Sequence, residues 1–597
     1  MRTKFVVLFS LLVVGGMILA ACTPAAEQAV VTVIVGGEVQ VVTATPGAEP
    51  AGPKIVTLGF GAPGDMSTAD PNLATDTSSV TIVNATTIGL SYLDESTTIL
   101  YPGMASSWDI SEDSLTYTFH LIEGIPWVRW NGEEVVQVMD CQETPAVRTV
   151  TAHDFEYSIK RALAPETASD YAYVLSFAIA GGSEYNSGEG TADDVAVHAV
   201  DDATLEVTFL SDAAYNANII GLWTAHAVPQ WIIEGDDCTD ARGDRWSEPG
   251  FHQSYGPFAL KEWIHDSSVT IIRNPFWPGT EAIPVPKLDE VVHVLTLEAS
   301  GELAEYEAGN LDVSSVPLGD IERVKSDPVL SQEFRIAPVL CTYFYGFNTQ
   351  AEHTDDVRVR RALSMALDRQ SLVDNVTRGG QEPAQWFARP GLTAAPTMAT
   401  HPDLGIQTDP EAAVAELQGY LDEKGLTADQ LDITLMFNTS AGHQAIAEAI
   451  QQMWATTLGI NVQLTNQEFA VFLDTILDPV ATPQVYRLGW CQDYPDANNF
   501  TREVFAAGGS QNPNSPGPGG IGWFNQEFED LVLQAAAERD PAARVELYAQ
   551  AEEILVDTDA AIIPIYWYTS VGLTKPYITR TYTVTGHNEF TRWDTSK

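Results

Sequence analysis

A short stretch near the C-terminal end carries side chains that could neutralise a charged ligand. Arg487 lies on a predicted strand over 484–489, and Asp493 follows the end of that strand, where loops commonly hold binding groups. Asp493 offers a carboxylate, Arg487 a guanidinium, and Trp490 between them an aromatic wall. Structural roles compete with these interpretations: a helix cap or surface turn for Asp493, and a structural salt bridge for Arg487.

The sequence lacks the motifs of common enzyme active sites. It contains no Gly-x-Ser-x-Gly elbow, no His-Glu-x-x-His pair and no Walker loop. Chance pairs of carboxylates are expected with 81 acidic residues, so such pairs are uninformative. No dense cluster of His or Cys indicates a metal site, and no cofactor is expected. A binding protein is therefore favoured over an exported enzyme.

Length and charge narrow the class of protein further. A chain of 597 residues exceeds what one hydrophobic core usually serves, which predicts two or three lobes. The net charge of -51 repels nucleic acid and anionic membranes, so no nucleic-acid partner is expected. Because the acidic residues are scattered, the charge indicates a solubility or salt adaptation of an exported protein more than a surface that steers cationic ligands.

The N-terminal segment has the pattern of an export signal. Arg2 and Lys4 precede an apolar run over 5–19, which is too short to span a bilayer comfortably. The run ends in Leu19-Ala20-Ala21-Cys22, which resembles the bacterial lipoprotein cleavage box and implies lipidation at Cys22. An ordinary secretory signal with an incidental cysteine is the alternative. Residues 23–54 are interpreted as a tether whose Val-rich part could form strands, and the protein is predicted to be lipid-anchored outside the bacterial cytoplasmic membrane.

Four cysteines remain besides Cys22, and they allow three disulfide pairings.

The elements that must position the charged residues follow from hydrophobic periodicity. Strands alternating with helices in the second half predict a mixed α/β lobe. The predicted strands cover 55–60, 195–200, 204–210, 341–347, 431–437, 460–465, 484–489 and 561–568, with a hairpin over 104–121. The predicted helices cover about 80–92, 151–163 (capped by Thr151 with Asp154), 355–377, 441–457, 526–538 and 541–556.

Several short motifs occur in a fixed order along the chain. Each is weak alone, but the order and spacing together are specific. They are Trp108-Asp109-Ile110-Ser111 with Tyr117-Thr118-Phe119, then Thr151 to Ser158, Gly256-Pro257-Phe258, Arg273-Asn274-Pro275, Leu340 to Asn348, Val357 to Leu363, and Gly489-Trp490-Cys491-Gln492-Asp493-Tyr494.

This series of motifs resembles the large oligopeptide-binding proteins, the family-five extracellular solute-binding receptors of ATP-driven importers. The resemblance covers residues 69 to 580 and implies a three-lobed periplasmic-binding-protein-like α/β fold with a hinged cleft. Lobe I would comprise 55–90, 255–340 and 569–597, lobe II 91–254, and lobe III 341–568. The resemblance also implies a monomer that captures oligopeptides and delivers them to permease subunits.

The resemblance further implies roles for individual residues. Asp493 would pair with the ligand α-ammonium, while Arg487 and His443 would approach its carboxylate. Cys341 would pair with Cys491, which leaves Cys141 for Cys238. The other expected contacts are the aromatic walls Trp490, Phe469, Tyr171 and Tyr568, and the positions Thr75, Asp76, Thr77 and Cys491 beside the ligand backbone.

The chain departs from the family pattern at several of these positions. Phe469 stands where relatives carry Trp, and Ile476 stands where they carry a second Arg, so the preferred peptide length is left open. Thr75 and Gly346 replace acidic residues, which reduces the charge expected for basic side chains. Alternative roles are capping for His443 and core packing for the aromatics. Alternative ligands on the same fold are an oligosaccharide or a nickel chelate.

Overall fold

The computed structural model describes residues 30–35, 38–43, 52–60, 64–586 and 588–597. The chain divides into two compact units, 1–53 and 54–597. In the first unit, strands β1 (Val30–Val35) and β2 (Glu38–Thr43) pair antiparallel, which confirms the strand structure predicted for the Val-rich segment. The predicted signal peptide, Cys22 and the rest of the tether up to residue 51 lie outside the described residues.

The second unit mixes strands and helices along its whole length. Its strands are β3 Ile55–Gly59, β4 Ser91–Leu93, β5 Leu100–Pro102, β6 Ala105–Ile110, β7 Thr116–Leu121, β8 Val128–Trp130, β9 Val135–Gln137, β10 Val197–Asp201, β11 Thr204–Thr208, β12 Phe258–Ile264, β13 Ser268–Arg273, β14 Glu290–Val294, β15 Val313–Ser315, β16 Phe334–Phe347, β17 Glu382–Pro383, β18 Ile433–Asn438, β19 Val462–Gln467, β20 Val485–Cys491, β21 Ile562–Thr574, β22 Ile578–Thr579 and β23 Asp594–Thr595.

The helices lie mostly between these strands. They are α1 Thr77–Thr86, α2 Ala152–Leu163, α3 Ala172–Ser176, α4 Gly182–Asn186, α5 Asn216–Ile219, α6 Gln230–Ile233, α7 Ala299–Ala308, α8 Ile321–Ser326, α9 Leu330–Glu333, α10 Val357–Met365, α11 Arg369–Leu372, α12 Pro410–Lys424, α13 Ala441–Leu458, α14 Phe469–Leu477, α15 Ala497–Phe505, α16 Gln526–Ala537 and α17 Pro541–Glu553, with single π-helical turns at Val373–Thr377 and Ile554–Thr558. Within the described ranges, no helix combines the length and apolar character needed to cross a membrane.

An eleven-stranded sheet runs through the second unit, in the order β12-β13-β14-β3-β15-β21-β16-β20-β18-β19, with β17 beside β21. The two longest strands, β16 and β21, pair with each other and connect the β12–β15 group to the β18–β20 group. Their register shifts between Pro338 and Thr342, where the pairing is interrupted by a bulge. These two strands are the covalent link between the two halves of the sheet.

Separate hydrophobic clusters stabilise the two halves of this sheet. In the β18–β20 half, Ile433 and Trp454 are fully buried, and the Trp454 indole donates to the Leu363 carbonyl at 2.7 Å. In the β12–β15 half, Val56 and Trp593 anchor another cluster. β20 is buried along most of its length, and apart from Arg487 it carries no charged residue.

The local predictions of the N-terminal half agree closely with the structure. β6 and β7 form the predicted hairpin, and β10 pairs with β11 as predicted. Thr151 precedes α2, and its backbone N–H donates to the Asp154 carboxylate at 2.8 Å, so the predicted capping box is present. The helix predicted around 80–92 instead spans Thr77–Thr86, because the Asp76 carboxylate accepts from the Ser79 backbone N–H and starts the helix earlier.

The continuous helix predicted over 355–377 is wrong. The structure has α10, then α11 and a π-helical turn. Asp368 interrupts the helix by accepting from the Ser371 backbone N–H at 2.9 Å, which begins a new helix. The buried Arg369 side chain then donates to the Ser364 and Pro564 carbonyls and holds the break against β21.

Candidate functional site

The paired strands β16 and β20 form the base of the candidate site. Cys341 lies directly opposite Cys491 in the antiparallel register, with 4.0 Å between their Cα atoms, and the two form a disulfide. Cys141 and Cys238 form the other disulfide, with 5.8 Å between Cα atoms. Both pairings implied by the resemblance are therefore present. The first one fixes the end of β20, from which Asp493 extends.

A hydrogen-bonded turn places the Asp493 carboxylate. Asp496, three residues later, caps α15 by accepting from the Asn498 backbone N–H at 2.9 Å, and Arg544 binds it through two 2.7 Å contacts. The capping role considered for Asp493 therefore belongs to Asp496. Asn499 on the first turn of α15 donates its Nδ2 to Asp493 Oδ2 at 2.8 Å and accepts from the Asp493 backbone N–H at 2.9 Å. Asp493 is thereby fixed by hydrogen bonds to a neutral amide, without an ion pair.

The Asp493 carboxylate has no cationic partner among the described residues. Burial raises its pKa to about 8, and the negative charge of Glu503 contributes in the same direction. Burial also raises the pKa of Glu503 to about 7, and Asn499 Nδ2 donates to Glu503 Oε2 at 2.8 Å as well. An ammonium group entering beside Asp493 would supply the missing positive charge.

A cavity of about 620 Å³ opens beside Asp493. Residues predicted to contact the ligand come together here from distant parts of the chain. The predicted residues that line this cavity are Thr75, Asp76, Thr77, Tyr171, Phe469, Trp490, Cys491 and Asp493. We call this space the aspartate cavity.

The lining of the aspartate cavity is strongly acidic. It includes Asp76, Asp170, Asp474, Asp478 and Asp493, but no Lys, Arg or His of the described residues. Burial and then the charge of Asp474 raise the pKa of Asp170, and neither of these two aspartates forms an ion pair with a described residue. The sequence predicted reduced negative charge beside the ligand. Asp170 and Asp474 supply such charge, although neither belongs to a recognisable sequence motif.

Packing explains why position 346 is a glycine. A Cβ atom at Gly346 would lie 2.5 Å from Cζ of Tyr486, the residue opposite it on β20. Tyr486 is fully buried, so any side chain at 346 would displace the aromatic core. Gly346 is therefore required by the packing of the sheet, which leaves no room for the acidic side chain that the resemblance implied.

Arg487, His443 and Tyr568 form a separate group and do not line the aspartate cavity. Arg487 is buried, and its guanidinium donates to Asn438 Oδ1 at 2.9 Å and to the Tyr568 hydroxyl at 2.5 Å. Its Nε has no hydrogen-bond partner among the described residues, and no described carboxylate lies within ion-pair distance of it. The salt bridge considered for Arg487 is therefore absent from the described part of the chain.

His443 lies on the first turn of α13 and beside Tyr343, whose hydroxyl is 3.4 Å from His443 Nδ1. Burial and then the charge of Arg487 hold the pKa of His443 well below its usual value, so the imidazole is neutral. A neutral imidazole can donate one hydrogen bond to a carboxylate but adds no charge.

Two residues that sequence reasoning missed complete the surroundings of Asp493. Asn499 and Glu503 are four positions apart on α15, so they lie on the same helix face toward Asp493. Tyr173, a further residue that was missed, lines the cavity and is almost fully buried. The four-residue spacing of Asn499 and Glu503 in the sequence could have identified them, because it places both side chains on one helix face.

Comparison with known proteins defines the class of this architecture. The model of the bacterial extracellular solute-binding proteins, family 5 (middle region) matches residues 100–512. The chain belongs to this family. It is 34% identical to the oligopeptide-binding protein OppA of Bacillus subtilis strain 168 over 509 residues, which cover 84% of this chain and 85% of the relative.

Two solved structures have the same fold. The Escherichia coli murein tripeptide binding protein MppA matches with a TM-score of 0.78 and 26% identity, over 92% of this chain and 99% of that one. Haemophilus influenzae OppA in complex with the peptide RPPGFSPFR matches with a TM-score of 0.78 and 25% identity, over 92% of this chain and 100% of that one.

Proposed function

We propose that this protein is the extracellular receptor of an ATP-driven importer, that it binds oligopeptides in the cleft beside Asp493, and that it catalyses no reaction. The observation that carries the proposal is a partly buried carboxylate, fixed by Asn499 and open to a cavity, without a described cation beside it. Relatives whose names specify oligopeptide or tripeptide binding support this ligand class. Permease subunits of the importer would be the partner, and a monomer would be the working unit.

Contacts with the peptide backbone would accompany the charge pair. β20 pairs with β18 only at Val485 and Tyr486, so beyond Tyr486 this edge has no partner strand in the described part of the chain. An extended peptide can add to such an edge through main-chain hydrogen bonds, which do not depend on its sequence. Thr75 to Thr77 at the start of α1 would contact the opposite side of the peptide, since they line the same cavity.

Closure of the lobes would bury the ligand. We assign lobe I to 55–90, 255–340 and 569–597, lobe II to 91–254 and lobe III to 341–568. The long strands β16 and β21 would bend near the bulge between Pro338 and Thr342. A signal peptide over 1–22, a lipid on Cys22 and a tether over 23–54 would hold the receptor at the outer face of the membrane.

Ligands that remain bound during purification test the proposal. We expect mass spectrometry of the denatured native protein to identify short peptides with free amino termini. A protein lacking such peptides would still bind them in calorimetry. A bound carbohydrate or metal chelate, together with no binding of peptides by the emptied protein, would contradict the proposal.

The affinity for a free-amino peptide is expected to rise with pH up to about 8. The pKa of ligand-free Asp493 is about 8, and a neighbouring ammonium lowers it. Below that pH the complex therefore holds fewer protons than the free protein, so binding releases about one proton. Above about pH 8 the peptide amine loses its own proton, since its pKa is about 7.7–8.0, and affinity falls again. Calorimetry in two buffers of different ionisation enthalpy measures the proton count, and a count of zero at about pH 6 would contradict the assignment.

Peptides with lysine side chains are expected to bind about tenfold more tightly than their glutamate counterparts at low ionic strength. The reason is the acidic lining of the aspartate cavity, where Asp170 and Asp474 have no described ion-pair partner. Competition binding measures the preference. Added salt should shrink it, and Asp474→Asn should reduce it, whereas a preference for glutamate would show that these aspartates do not face the ligand.

A further inference from the structure

A second chamber lies beyond the disulfide that borders the aspartate cavity. Its volume is about 330 Å³, and Thr77 and Cys491 line both spaces, so the two adjoin. Its walls come from the outer halves of β16 and β21, from β15 and from the segment after β22. We call it the arginine chamber, after Arg335 and Arg580 in its lining.

The charge of the arginine chamber is opposite to that of the aspartate cavity. Among the described residues of its lining, the charged ones are Arg335, Arg580 and Glu302. The Glu302 carboxylate accepts from the backbone N–H and the hydroxyl of Ser315 at 3.1 and 2.6 Å. Two arginines therefore face a chamber with one engaged carboxylate, in a protein with 81 acidic and 30 basic residues. Most of the remaining polar lining consists of hydroxyl groups, which suit an anion.

The hydrogen bonds of Arg580 go to neutral groups of the described residues. Its Nε donates to the Thr581 carbonyl at 3.1 Å, and its Nη2 donates to Asn588 Oδ1 at 3.0 Å. Its guanidinium lies over the Trp593 ring, 4.2 Å from the centroid. Its Nη1 makes no hydrogen bond to a described residue, and no described carboxylate lies within 4 Å of it. Burial lowers the pKa of Arg580, and the carboxyl of Glu95, which forms no ion pair with it within 4 Å, acts in the opposite direction.

We propose that Arg580 binds the C-terminal carboxylate of peptides long enough to pass from the aspartate cavity into the arginine chamber. This inference rests on the proposed function and adds an anchor to it. A peptide carries an ammonium at one end and a carboxylate at the other, and the two adjoining spaces offer charges of the opposite sign at each end. An extended dipeptide spans at most about 7 Å, so its carboxylate stays close to the aspartate cavity, whereas each added residue advances the carboxylate by about 3.3–3.6 Å.

The test compares alanine-based peptides of increasing length, from two to nine residues, each prepared with a C-terminal carboxylate or a C-terminal amide. In the wild-type protein, the carboxylate form of the longer peptides is expected to bind more tightly than the amide. In Arg580→Gln, that advantage is expected to fall by about 10- to 100-fold, because a charge-assisted hydrogen bond is lost. Amidated peptides and dipeptides should bind wild type and variant alike, which also shows that the variant is folded.

Two further variants make the result specific. Arg580→Lys keeps the charge but loses the planar fork, so part of the carboxylate preference should return. Arg129→Gln removes one exposed arginine that lines neither space, and it should change nothing. A wild-type protein that binds peptides while Arg580→Gln keeps the full carboxylate preference at every length would overturn this inference alone. A wild-type protein that binds no peptide would overturn the proposed function itself.

Discussion

Replacing Asp493 with asparagine is expected to weaken the binding of a free-amino peptide by about 2–5 kcal/mol, which is more than about 30-fold. Asparagine has the same shape and can keep the contacts with Asn499, so the change removes mainly the negative charge. The N-acetylated form of the same peptide has no ammonium, and its weaker binding should be nearly unchanged by the substitution. Isothermal calorimetry with both peptides measures the difference.

The stability of the Asp493→Asn variant separates lost affinity from lost folding. The folded-state pKa of Asp493, about 8, exceeds the ordinary value of 3.8, so the native state holds an extra proton between these values. The contribution of this group to stability therefore declines as pH rises through that window. At neutral pH the ligand-free variant should be at least as stable as wild type. Asp403→Asn, at an exposed position away from the cavity, is the matched control. Equal losses for free and acetylated peptides would remove Asp493 from its assigned role.

Removing the Cys341–Cys491 disulfide is expected to lower the free energy of unfolding by about 4–5 kcal/mol. The bridge closes a loop of 150 residues, and a cross-link of that span restricts the unfolded chain strongly. The double substitution Cys341→Ala and Cys491→Ala avoids leaving a polar group at the largely buried bridge. Denaturant unfolding of wild type and variant at the same pH measures the loss.

The same variant is also expected to bind peptide more weakly, because the bridge borders both the aspartate cavity and the arginine chamber. Cys141→Ala with Cys238→Ala provides the contrast. That bridge closes 97 residues and lines neither space, so its removal should lower stability but leave the affinity unchanged. A Cys341–Cys491 variant with wild-type affinity and stability would show that the bridge contributes neither rigidity nor site geometry.

Local signals were sufficient to predict much of the fold. The alternation of β18, α13, β19 and β20 follows from runs of apolar residues with clear periods, and Thr151 with Asp154 marks the start of α2. The break after α10 was missed although the Asp368 cap is local, because the Arg369 contact that holds the break reaches β21, nearly two hundred residues away in sequence. Such contacts have no local signature.

The candidate site was only partly predictable for the same reason. The turn after β20 identified Asp493, and the family motifs identified Trp490 and Cys491 around it. The charge balance of the two spaces was not predictable, because Asp474 and Arg580 reach their positions only through the packing of separate segments. The position of the Arg487 guanidinium likewise depends on Tyr568, a residue of a separate strand whose hydroxyl accepts from it.

A crystal structure of the protein with a bound free-amino peptide tests the central claim most directly. We expect the terminal nitrogen to lie about 2.7–3.2 Å from a carboxylate oxygen of Asp493, with the peptide extended along the open edge of β20. A peptide whose amino terminus lies elsewhere in the cleft, with no contact to the Asp493 carboxylate, would contradict the account.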